Sequence, residues 1–161
     1  FARATGRSFS SDMCFRRRWF DAGAMLRSDL TIAELRRRGP AEFANGVIKD
    51  PFFSFAAPEL RRLYPNSPIF FIVRNPYDNI RSILNRLNIP GNLEALEPTH
   101  YATLAKLPLW RCFFDPIVMG SGRTHYVELL AQVWQKCTEN AEVVLPTGCH
   151  LIYYENFICL L

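Results

Sequence analysis

The segment PIFFIVRNPYDNIRSILNRL, Pro68 to Leu87, restricts the fold more than any other stretch of the chain. Ile69 to Val73 are apolar without alternation. A strand solvated on one face alternates apolar with polar residues, whereas a strand covered on both faces, usually in a parallel sheet, does not. Arg74 ends the run and Asn75-Pro76 breaks it. Ile80, Ile83, Leu84 and Leu87 then recur at helical spacing. A buried strand, a tight turn and an amphipathic helix in that order form half of a βαβ unit.

The same alternation runs along the chain. TIAELRRRG predicts a helix in which Thr31 caps, Glu34 completes a capping box and Gly39 terminates. GVIKD, Gly46 to Asp50, predicts a short strand stopped by Pro51. APELRRLYP predicts a helix with Pro58 in its first turn. THYVELLAQVWQKCTEN predicts a long helix through Val127, Leu130, Ala131 and Trp134, and HLIYYENF a final strand. The stretch from Ile89 to Gly122 carries four prolines and mixed signals, so it is expected to be an irregular excursion over the substrate. The expected fold class is α/β with a central parallel sheet, in one domain spanning residues 1–161.

Composition sets further bounds. With 49% hydrophobic and 21% charged residues the chain is globular. Its net charge of +4 suits an anionic ligand but is too small to argue for nucleic acid, and the adjacent arginines of CFRRRWF and ELRRRG point to different helix faces. No apolar run reaches the ~18 residues of a membrane span. The chain begins at Phe1 and reads as a fragment; the compartment stays open, with the cytoplasm favoured by the lack of a leader or anchor in this stretch. Five cysteines without a C-x-x-C pair suggest buried free thiols rather than disulfides or zinc. His100, His125 and His150 form no i, i+4 pair, so no helical metal site is expected.

Arg74 and Ser82 carry the chemistry. Ligands of open α/β sheets collect at the carboxyl ends of strands, where Arg74 stands. The following helix brings its free N–H groups and positive dipole end to the same edge, and Ser82 adds a hydroxyl. A guanidinium fork, a helix start and a hydroxyl suit a phosphate. The competing reading pairs Arg74 with Asp78 or another acid and leaves Ser82 as a surface residue.

The segment VRNPYDNIRS resembles the 3′-phosphate-binding segment of the sulfotransferases that use 3′-phosphoadenosine 5′-phosphosulfate (PAPS). There a strand ends in Arg, with Asp four residues later and Ser eight residues later, as Arg74, Asp78 and Ser82 do here. VIKDP, with Lys49 lying 25 residues before Arg74, is similar to the family's strand ending in Lys-x-Pro or Lys-Thr-His. YPNS before the strand and YYENF near the end also look like family segments. The resemblance implies a P-loop-NTPase-like, three-layer α/β/α fold with a central parallel sheet, incomplete at both ends. It implies PAPS as co-substrate, no metal, and a small-molecule or carbohydrate acceptor. Arg74 and Ser82 would hold the 3′-phosphate, and Lys49 would offset charge on the transferring group. Tyr154 and Glu155 are read as structural.

The family's glycine-bearing phosphate loop finds its counterpart in ATGRSFSSDM, which supplies Arg7, Ser8 and Ser10 as candidate phosphate contacts. Phe9 stands where the family has glycine, and a phenylalanine neither takes positive φ readily nor lets backbone close on a phosphate. Either this is the loop in a degraded form, or the loop lies upstream. Pro51 occupies the place of the histidine base, leaving His100, His125 and several acids as candidates. The alternatives to a sulfotransferase are an inactive nucleotide-binding or scaffold protein with a degenerate loop, and a P-loop kinase, for which the G-x-x-x-x-G-K-[ST] signature is missing.

Overall fold

The computed structural model describes residues 6–16 and 20–158. The expected stub of a first strand at residues 1–5, Arg17 and Arg18 of the basic stretch, and Cys159 lie outside the described residues.

Four strands are described: β1 (Phe9–Ser11), β2 (Val47–Lys49), β3 (Ile69–Val73) and β4 (Cys149–Tyr153). They pair in parallel as expected, with Phe9 opposite Val47 and Ser11 opposite Lys49, and with Ile69 opposite Cys149 and Val73 opposite Tyr153. The described residues form two separate two-stranded sheets rather than one central sheet. The fold is mixed α/β with helix predominating.

β3 departs from the expectation of a strand covered on both faces. Ile69 and Phe71 pack on Ala57, Val144 and Cys149, while Ile72 is 66% exposed. Apolar character at five successive positions reports hydrophobicity, not which face is covered, so the run could not distinguish the two cases.

The helices begin where their caps predict. α1 (Met13–Arg16) and α2 (Ala22–Leu26) follow β1, and Asp21 caps the second by accepting from the Ala24 N–H at 2.9 Å. In α3 (Ile32–Arg38) the Thr31 hydroxyl accepts from the Glu34 N–H at 3.1 Å and Gly39 ends the helix. The Glu34 carboxylate turns instead to Arg37 and Arg38, whose hydrogen bonds hold its pKa down at about 2. α4 (Pro40–Phe43) follows, then β2, a 3₁₀ segment at Pro51–Ala56, and α5 (Ala57–Leu63). Glu59 of α5 accepts from the Ile32 and Ala33 N–H groups at 2.8 and 3.1 Å, so one helix satisfies the open start of another.

α6 (Pro76–Leu87) follows β3 and buries Ile80, Leu84 and Leu87. The excursion beyond it is helical rather than irregular: α7 (Pro98–Ala105), α8 (Pro108–Arg111) and α9 (Pro116–Met119) each start at a proline. Proline fixes φ near the helical value and lacks an N–H that a first-turn position leaves unused, so it starts helices as well as breaking them. The longest helix, α10 (Tyr126–Val144), packs against α5, α6 and the 3₁₀ segment. β4 and α11 (Tyr154–Ile158) close the described chain.

The main core joins α2, α3, α6 and α10 around an aromatic cluster. Phe52 meets Phe20 edge-on at 5.0 Å and stacks on Phe113 at 5.8 Å between centroids. Among the described residues the cluster beneath β3 and β4 is smaller, with Ala57, Val144 and Cys149 buried. Among the described residues no helix is long and apolar enough to cross a membrane, and no cluster of three metal-ligating side chains occurs. Cys14, Cys112, Cys137 and Cys149 are free, and burial pushes the Cys112 thiol up to about 12.

Candidate anion-binding site

Parallel strands in register end at the same edge. Val73 lies opposite Tyr153, so Arg74 and Tyr154 emerge side by side from β3 and β4. The Arg74 guanidinium sits over the Tyr154 ring, 4.9 Å from its centroid. Asp78, its expected competitor, is engaged by Arg81 at 2.7 Å. Among the described residues Arg74 makes no ion pair. Its charge is therefore held in place by an aromatic face without a direct ion pair, and the Glu155 carboxylate nearby feels that charge without bonding the guanidinium.

The backbone at this edge is fixed from two directions. The Trp134 indole N–H of α10 donates to the Arg74 carbonyl at 2.9 Å. The Asn75 N–H donates to the Glu155 carboxylate of α11 at 2.7 Å, a hydrogen bond that holds the Glu155 pKa below its ordinary value. Asn75 then caps α6 by accepting from the Tyr77 N–H at 3.0 Å, and Pro76 takes the first helical position. The twelve-residue α6 thus starts two residues after Arg74, with its positive dipole end at the same edge. The expected free N–H groups are partly spent: Pro76 has none, the Asn75 N–H is taken by Glu155, and the Tyr77 N–H by the Asn75 side chain.

Ser82 lies on α6 away from the buried stripe of Ile80, Leu84 and Leu87, and is exposed. Among the described residues no hydrogen bond joins it to Arg74.

The other strand pair presents a different end. Lys49, the last residue of β2, bonds Asp12 at 2.6 Å, with both side chains exposed. Asp12 follows β1 in the left-handed region at φ 50, which Asp tolerates better than most residues, and its N–H donates to the Lys49 carbonyl at 2.8 Å. Asp50 accepts from the Cys14 and Phe52 N–H groups at 2.9 and 3.0 Å. Burial pushes the Asp50 carboxyl up, and burial together with the Asp50 charge pushes the Cys14 thiol up, so Cys14 is no thiolate nucleophile.

The expected phosphate loop takes another form. Phe9, Ser10 and Ser11 are strand β1, Ser10 is buried at 8% exposure, and the Ser8 hydroxyl accepts from the Gly46 N–H at 2.9 Å. Arg7 is exposed and lies against Gly46, where an added Cβ would meet the arginine side chain at 3.2 Å. Residues committed to a strand and its flank do not aim consecutive N–H groups at one anion as a phosphate cradle does. The edge at Arg74 carries a cation without a direct ion pair among the described residues, whereas residues 7–11 form a strand and its flank rather than a cradle.

The two candidate histidine bases are both hydrogen-bonded to nearby backbone. His125 Nδ1 accepts from the Val127 N–H at 3.3 Å and its Nε2 lies 3.1 Å from the Leu93 carbonyl. His100 Nδ1 accepts from the Glu97 N–H at 3.1 Å. The residues that sequence reasoning did not place at a site are Asp12, Trp134, Tyr154 and Glu155. Each acts through a partner at least 37 positions away in the chain, which no local pattern reports. Compared with protein-family models, curated proteins and solved structures, the chain gives no match.

Proposed function

We propose that this chain is the nucleotide-binding part of a PAPS-dependent sulfotransferase, with Arg74 and Ser82 holding the 3′-phosphate of the nucleotide. The observation that carries this reading is Arg74, which stands at the carboxyl end of a parallel strand just before a helix start and whose guanidinium makes no ion pair among the described residues. A bidentate guanidinium contact and a helix N-terminus both favour a doubly charged phosphate. With this reading goes the finer fold, a three-layer arrangement around one central parallel sheet.

In the reaction an acceptor hydroxyl or amine attacks sulfur, the bond from sulfur to the bridging phosphate oxygen breaks, and the acceptor proton passes to a base. The protein's task is positioning and offsetting charge as it builds on the bridging oxygen. Lys49 is the residue for that charge. It enters the scheme paired with Asp12, and an exposed ion pair is worth about 0–1 kcal/mol, so exchanging one anion for another costs little.

A second reading has its own support. Phe9 and the buried Ser10 in β1 leave no cradle for a 5′-phosphosulfate, which favours a protein that binds nucleotide without transferring sulfate. Calorimetric titration of adenosine 3′,5′-bisphosphate into the chain and into Arg74→Ala tests the binding site. Binding that the substitution abolishes is the expected result; equal binding by the two proteins would remove Arg74 from the site, and no binding by either would sink both readings. Transfer of labelled sulfate from PAPS to a panel of sugar and phenol acceptors then separates enzyme from binder.

A further inference from the structure

We infer that Trp134 and Glu155 are positioning residues that fix the peptide units on either side of Arg74 and so aim its guanidinium at a phosphate; this rests on the reading of Arg74 as an anion-binding residue. The Arg74 carbonyl accepts from the Trp134 indole, and the next N–H, that of Asn75, donates to Glu155. Two consecutive peptide groups at a strand end are thus held by side chains from separate helices, 60 and 80 positions further along the chain. The bracing groups bond the backbone and leave the guanidinium itself to the Tyr154 ring. A side chain carried on a fixed backbone, with its plane set by an aromatic face, loses less freedom on binding than one on a mobile turn.

The brace also solves a charge problem. A carboxylate placed directly on Arg74 would compete with the ligand. Glu155 instead turns a carboxylate oxygen to the Asn75 N–H, which keeps it out of a direct ion pair with Arg74 while its charge stays within electrostatic reach, and Trp134 contributes a donor without charge. The turn is held firmly while the cation keeps its capacity for an anion.

The experiment compares two probes, adenosine 3′,5′-bisphosphate and adenosine 5′-phosphate, which differ by the 3′-phosphate. Affinities are measured for the native chain, Arg74→Ala, Trp134→Phe, Glu155→Ala and Glu155→Gln. Native protein is expected to prefer the bisphosphate, and Arg74→Ala to abolish the preference. Trp134→Phe keeps the ring bulk and removes the N–H donor, and is expected to cut the preference about tenfold, the equivalent of one good hydrogen bond. Glu155→Ala does the same, and Glu155→Gln, which keeps an acceptor oxygen, restores most of it. A general loss of packing would lower both affinities together and leave their ratio intact. An unchanged ratio in Trp134→Phe and Glu155→Ala, with Arg74→Ala still abolishing it, overturns the brace alone. No preference in the native chain overturns the anion site and the brace with it.

Discussion

The carboxyl ends of the two strand pairs each present one cation, and they treat it differently. At the end of β2, Lys49 is met by a carboxylate of its own chain, Asp12, at 2.6 Å. At the end of β3, Arg74 is met by a tyrosine ring, while the carboxylate nearby, Glu155, is bonded to backbone. The first end is closed by a direct ion pair; the second is open in the sense that its cation has none, although the Glu155 carboxylate lies within electrostatic reach. A cation at a strand end therefore says little by itself; what its neighbours do with their own hydrogen-bonding capacity decides whether it can take a ligand.

The two ends also rest on cores of different size, and that yields the largest expected effect. Lys49 is followed by Asp50, Pro51 and Phe52, and Phe52 is 2% exposed within the aromatic cluster. β3 and β4 rest on the small cluster around Val144, which is also 2% exposed. Phe52→Ala should cost roughly 3–5 kcal/mol by leaving a ring-sized cavity. Val144→Ala should cost about 2 kcal/mol, in line with the burial of one valine side chain. Urea denaturation of both variants reads the difference. A larger loss for Val144→Ala would reverse the assignment of the main core and break the contrast between the two ends.

Much of the framework was legible in advance, and the reasons are local. Thr31 with Gly39 bounded α3, Asn75-Pro76 announced α6, and the apolar spacing from Val127 to Trp134 announced α10. Each signal lies within a few residues of the structure it specifies. What stayed hidden depends on distance in sequence. The Asp12–Lys49 pair closes over 37 positions, and nothing near Lys49 betrays it. The exposed face of β3 was hidden because apolar residues stand on both of its faces, so only the packing partners reveal which is covered. The excursion was misread for the opposite reason. Prolines at Pro98, Pro108 and Pro116 were weighed as breaks, although each stands at a helix start. The surroundings of Arg74 were half legible: Arg74 and the start of α6 are adjacent in the chain, but Trp134, Tyr154 and Glu155, which meet them, come from elements much later in the sequence.

A smaller effect is expected from opening the closed end. Asp12→Asn removes the charge facing Lys49 and keeps a residue tolerant of the left-handed backbone at that position. Stability should change by less than about 1 kcal/mol, because the pair is exposed. Binding of inorganic pyrophosphate should strengthen several-fold at low salt, and the gain should fade as ionic strength shortens the Debye length to about 3 Å near 1 M. Loss of several kcal/mol of stability instead would mean that the pair holds β1 to β2, and the contrast between closed and open ends would then concern folding rather than ligand access.

The smallest effect sharpens the open end and is read by pH. The Asn75 N–H holds the Glu155 carboxyl below its ordinary value of 4.5, with the backbone and the nearby Arg74 charge adding to the effect. A carboxyl whose pKa is lower folded than unfolded contributes stability that is complete above the unfolded value and lost as pH falls through the folded one. The bond from Asn75 to Glu155 should therefore persist at pH 4.5, where an unbonded glutamate is half protonated, and weaken only at lower pH. The amide resonance of Asn75, followed by heteronuclear NMR from neutral pH downward, should titrate with a midpoint below 4.5. In Arg74→Ala the midpoint should move up slightly and stay below that value, because the hydrogen bond to the backbone is the leading cause and the arginine charge the least. A midpoint at or above 4.5 in the native chain would mean that Glu155 does not hold the turn, and the open end would lose half of its brace.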